Sequence, residues 1–99
     1  MAGFILTNAA KADLKNIGRY TQETWGIEQR NRYLTSLDKC FHELVANPLQ
    51  GRDCSEIKPG YRKFPIGKHL VFYRINELEQ LLIVRILHQR MDVDFHLTD

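Results

Sequence analysis

Cysteine is scarce in this chain. Cys40 and Cys54 are the two thiols, too few for a disulfide framework and not spaced as a CxxC pair. Both are expected to be reduced, as in a cytoplasmic protein. Together with His42, His69, His88 and His96 they make no spaced metal set, so neither a metal nor a cofactor is expected. Cys40 falls beside an apolar stripe and reads as core packing; Cys54 reads as a loop thiol with no evident base. No apolar run approaches the roughly 20 residues of a membrane span, which argues against a membrane partner. The opening MAGFILTNAAKADL has no basic region ahead of a long apolar stretch, so no signal peptide is expected. A phosphate-cradling glycine loop, internal repeats and low-complexity tracts are also missing.

What remains is a chain of 99 residues with 43% hydrophobic and 26% charged side chains. That size supports one domain, 1–99, with one modest core. The net charge of +2 is unevenly spread: residues 1–56 balance, 57–90 carry +5, and 91–99 carry −3. A positive field confined to one segment suits an acidic partner.

Phe4-Ile5-Leu6 reads as a first strand. Thr7 and Asn8 are good N-caps, and Ala10, Leu14, Ile17, Thr21 and Trp25 then recur at helical spacing. Gly26 stops that helix, and Trp25 is expected to anchor the hairpin it forms with the next one. The second stripe is Tyr33, Leu34, Leu37, Phe41, Leu44 and Val45, ended by Asn47-Pro48. Arg30 and Arg32, at the start of the second helix where the dipole disfavours cations, read as a solvated face, with a partner contact as the alternative. Residues 47–60 read as a loop. From Tyr61 the period changes to two, giving strands near 61–66, 69–75 and 80–87, with a Gly67-Lys68 hairpin turn. The order β-α-α-β-β-β predicts an α+β fold with a helical hairpin packed on an antiparallel sheet.

Pairing Ile66 with His69 and Ile75 with Gln80 divides the side chains between two faces. Arg62, Phe64, Ile66, His69, Val71, Tyr73, Ile75, Leu82, Val84, Ile86 and His88 share one. Tyr61, Lys63, Leu70, Phe72, Arg74, Leu81, Ile83, Arg85 and Leu87 share the other. Both faces are apolar enough to need cover, and one helical hairpin covers only one. The first face is expected to stay open for a second polypeptide, with Phe64, Val71, Tyr73, Leu82, Val84 and Ile86 as its contacts. The competing reading is that 47–60 or 91–99 folds back over it. At one end of that face, Arg62, His69, Tyr73, His88 and Arg90 offer general acid/base and phosphate-binding groups. Such a set suits metal-independent RNA cleavage; solvated strand ends are an equal reading.

AAKADLKNIGRYTQETWG, Tyr33, Leu37, Leu44, Asn47-Pro48, Gly51, GYRKFPIGKHLVFYRI and VRILHQRMD together resemble the ParE toxins of the RelE/ParE group of type II toxin–antitoxin proteins. The resemblance runs from about residue 4 to residue 93 and implies the RelE/ParE-like fold. It implies neutralisation by a cognate small antitoxin of the ParD kind. It implies DNA gyrase as the target, with DNA met only indirectly through gyrase or the antitoxin. RelE members instead cut mRNA on the ribosome; that alternative assigns Arg62, His69, His88 and Arg90 as catalytic. His69 stands where the ribonucleases carry a central-strand arginine, and DFHLTD ends without a tyrosine, which favours the gyrase branch. The target-binding candidates are Arg62, His69, Arg85, His88, Arg90 and Met91.

Overall fold

A computed structural model describes residues 3–90. Strand β1 spans Phe4–Leu6, helix α1 Asn8–Trp25 and helix α2 Ile27–Ala46. Thr7 turns strand into helix: its backbone is extended, and its hydroxyl oxygen accepts from Ala10 N at 3.0 Å and donates to the Val84 carbonyl at 2.7 Å. One side chain thus caps α1 and ties its start to the sheet. Gly26, at φ +96, separates the helices by a single residue. Ala10, Ile17 and Thr21 of α1 and Leu37, Cys40, Phe41 and Leu44 of α2 are buried, as their spacing predicts. Trp25 does not anchor the hairpin, because it is 69% exposed. The helices pack instead where buried Gly18 of α1 meets Leu34 of α2.

A short 3-10 turn, Pro48–Gln50, leads into β2 (Arg52–Asp53), a two-residue strand within the expected loop. Strands β3 (Arg62–Ile66), β4 (His69–Ile75) and β5 (Leu81–His88) form the meander. The sheet order is β1-β5-β4-β3-β2. The expectation of a wholly antiparallel sheet needs one correction: β1 pairs parallel to β5, with Phe4 opposite Leu81 and Leu6 opposite Ile83. Among the described residues, no helix is long and apolar enough to cross a membrane.

The face expected to be open is the covered one. Val71, Tyr73 and Ile86 are buried against the helices, with Phe64 and Ile66 packed at the margin. The alternative would trap charge: the opposite face carries Lys63 and Arg74, and burying them beneath two apolar helix stripes would strand two cations. That outer face is lined by Phe72, Val84 and Leu87 with Leu70 and Leu82, and the 54–61 segment folds onto it through Cys54, Ile57 and Tyr61. Cys54 is therefore a buried loop thiol.

The last strand is also corrected. Ile66 does face His69, but Ile75 faces Leu81 instead of Gln80. The turn takes an extra residue because Asn76 Oδ1 accepts from both Leu78 N and Gln80 N at 2.9 Å, with Glu79 at φ +60. Further along, Phe72 faces Arg85 while Tyr73 faces Ile83, so Val84 is the extra residue of a β-bulge. Leu81 and Ile83 consequently join the helix side, and Leu82 and Val84 turn outward. The six expected partner contacts thus do not share a face, and Val71, Tyr73, Val84 and Ile86 are all buried.

Candidate functional site

β1 ends at Leu6, so β5 beyond Ile83 runs past its neighbour. Asp13 of α1 occupies that edge. Its Oδ2 accepts from Ile86 N at 2.9 Å, and its two carboxylate oxygens accept from Arg85 Nε at 2.8 Å and Nη2 at 3.0 Å. A side chain thereby satisfies a ladder donor that a longer β1 would have taken. The carboxylate holds the Arg85 guanidinium above its ordinary pKa. Arg85, expected to reach a target, is instead engaged inside the fold. Sequence reasoning missed Asp13, although a signal existed: it occupies a stripe position between Ala10 and Ile17, where an acid needs a partner.

His69 and His88 do meet. They are cross-strand partners on β4 and β5, with ring centroids 5.5 Å apart in an edge-to-face arrangement. Tyr33 of α2 closes the group: its Oη lies 2.6 Å from His69 Nδ1 and 3.2 Å from the Ile66 carbonyl. The His69 ring is held whichever of the two, Nδ1 or Oη, carries the shared proton. Burial pushes His69 below its usual 6.5, the neighbouring His88 adds to that, and Asp13 opposes it. Burial pushes the Tyr33 hydroxyl upward. At neutral pH the pair is therefore an uncharged, hydrogen-bonded unit. His88 Nδ1 accepts from Arg90 N at 3.2 Å. Beside the histidines lies a groove of about 270 Å³ lined by Asp13, Asn16, Ile17, Tyr20, Ile86 and Leu87.

The other candidates disperse. Arg62 Nη1 donates to the Gly51 carbonyl at 2.7 Å, pinning the segment ahead of β2. Tyr73 secures the same segment from the core, donating to the Pro48 carbonyl at 2.7 Å and accepting from Gly51 N at 2.9 Å. Arg90 is exposed at the end of the described chain, and Met91 lies outside the described residues. Among the described residues no group of three or more His, Cys, Asp or Glu side chains is placed to hold a metal. The site is thus a strand end with two arginines committed to the fold and a cross-strand histidine pair beside a largely apolar groove.

Comparison with known proteins agrees on kinship. A family model described as the ParE toxin of the type II toxin–antitoxin system parDE matches residues 4–93. Toxin ParE1 of Mycobacterium tuberculosis is 45% identical over 94 residues, spanning 95% of this chain and 96% of the relative. Toxin ParE of Escherichia coli is 39% identical over 99 residues, spanning 100% and 96%. Among solved structures, a chromosomal ParDE toxin–antitoxin system from P. aeruginosa aligns with a TM-score of 0.75 at 21% identity, covering 89% of this chain and 96% of that one. The RelBE2 toxin–antitoxin complex of Mycobacterium tuberculosis aligns at 0.65 with 20% identity, covering 87% and 95%. The structural likenesses carry the fold, and the sequence relatives carry the kinship. Over nearly its whole length, this chain belongs to the ParE toxin family of type II toxin–antitoxin systems.

Proposed function

We propose that this protein is the toxic component of such a system, that it acts in the cytoplasm by binding DNA gyrase, and that a small antitoxin neutralises it. One observation favours binding over ribonuclease chemistry. Arg85 is committed to Asp13 and Arg62 to the Gly51 carbonyl, while Asp13 and apolar side chains line the groove beside His69 and His88. With both guanidinium groups held by the fold, neither is placed to stabilise a scissile phosphate. Purified toxin at stoichiometric amounts is expected to inhibit supercoiling and to stabilise a cleaved gyrase–DNA complex. Unimpaired supercoiling at excess toxin, together with ribosome-dependent mRNA cleavage that His69→Ala abolishes, would replace this reading with the ribonuclease one.

For the antitoxin, the accessible part of the expected contact set narrows to Phe64 at the helix margin and Leu82 on the outer face. Leu82 and Leu70 stand there among Lys63 and Arg74, and neither cation has an ion-pair partner among the described residues. An acidic, amphipathic antitoxin segment matches that face in charge and in apolar content.

A further inference from the structure

The tip of the helical hairpin serves none of these roles. Trp25, the chain's single tryptophan, ends α1 with 69% of its surface in water, and Ile27, across Gly26, is 53% exposed. A buried tryptophan contributes more apolar area than any other side chain, and the fold forgoes that contribution here. Beside the indole runs a shallow groove of about 320 Å³ lined by Trp25, Gln29 and Arg32. Arg32 donates from Nε and Nη2 to Gln29 Oε1 at 3.3 and 3.0 Å. Arg30 donates to Gln22 Oε1 at 2.6 Å and to Asn31 Oδ1 at 2.7 and 3.1 Å. Both guanidinium groups therefore lean on neutral amides, and among the described residues no carboxylate neutralises them. The tip is not uniformly basic, because Glu23 and Glu28 lie among Arg19, Arg30 and Arg32. A phosphate backbone selects an unbroken basic stripe; an exposed tryptophan and isoleucine beside an unneutralised arginine are the makings of a protein–protein hot spot.

We propose that the α1–α2 tip is a protein-docking surface: Trp25 and Ile27 enter an apolar pocket on the toxin's target, and Arg32 meets a carboxylate at its rim. The inference rests on the gyrase-binding reading for the identity of that target. It also separates the target surface from the outer sheet face assigned to the antitoxin. The test compares wild type with Trp25→Ala, and with Gln29→Glu, which sets a competing carboxylate beside Arg32. Supercoiling inhibition by the purified full chain is expected to weaken at least tenfold in each variant. The melting temperature is expected to be unchanged, and affinity for the cognate antitoxin to stay within twofold of wild type. Because Trp25 is the lone tryptophan, 5-fluorotryptophan labelling gives one fluorine resonance, expected to shift when gyrase is added. Retained potency in both variants overturns the proposal. So does a loss of antitoxin affinity in place of potency, or toxin binding to bare duplex DNA that Trp25→Ala abolishes. A resonance that shifts without inhibition sinks the gyrase-poison reading and keeps the docking surface; no shift and no inhibition sinks both.

Discussion

At the scale of single residues, Asp13 does the most for the least. It closes the edge of β5 and holds Arg85 from a helix 72 residues away in sequence. Replacing it with alanine removes the carboxylate from the partly buried Arg85 guanidinium and the acceptor from Ile86 N. Asp13→Ala is expected to cost about 2–4 kcal/mol, read as a lower urea midpoint with an unchanged denaturant slope. His69 makes a pH-dependent prediction. Burial, and then His88, lower its pKa in the fold, so the unfolded chain binds that proton more readily. The contribution is complete above the unfolded value of about 6.5 and is lost as pH falls through the depressed folded value. Stability is therefore expected to drop on mild acidification. His69→Gln is expected to flatten that drop, measured as urea midpoints at neutral pH and at about pH 5. A slope unchanged by the substitution would assign the drop to other groups.

At the scale of elements, the periodicities did their work and the local irregularities escaped them. Both helices, their stop at Gly26 and Asn47, and the Ile66–His69 hairpin follow from stripe spacing and turn chemistry. The bulge at Val84 does not, because it depends on how many residues the Asn76 turn consumes and on where Asp13 grips the strand. One inserted residue exchanges the faces of half a strand, which is why Leu82 and Val84 stand on the side opposite to the one that simple alternation predicts. The helix-side core gives a direct check. Val71→Asp places an unpaired carboxylate at a fully buried position and is expected to cost more than about 4 kcal/mol, read as loss of helical circular dichroism. The segment before β2 gives another. A side chain at Gly51 would collide with the hydroxyl and ring carbons of Tyr73. Gly51→Ala is expected to cost about 1–3 kcal/mol, seen in the same denaturation measurement, with Arg62 and Tyr73 losing their shared anchor.

At the scale of the whole molecule, the surfaces proposed for the antitoxin and for the target differ in chemistry. The outer sheet face combines Leu70 and Leu82 with Lys63 and Arg74, and the hairpin tip offers Trp25 and Ile27. They call for different tests. On the sheet face, charge governs encounter. The double change Lys63→Glu with Arg74→Glu is expected to slow antitoxin association about tenfold at low salt, with the difference shrinking as salt is raised. Stopped-flow association rates at two ionic strengths check this, and thermal unfolding is expected to be unaffected. A rate unchanged at low salt would move the antitoxin elsewhere.

The order of elements, the buried stripes, the basic segment and the family were all legible along the chain, because each depends on neighbours a few residues apart or on a pattern of residues in order. Which sheet face the helices cover was not legible. Both faces are apolar, and although alternation already sets Lys63 and Arg74 on one of them, it is the packing of the helices that avoids that face. The candidate site shows the same division. Chain order nominated His69 and His88, but only packing brought Tyr33 to one of them, withdrew Arg85 to Asp13, and left Trp25 in water. Those outcomes rest on contacts between distant segments, and desolvation and ion pairing act on the assembled surface, where the linear pattern carries no distance.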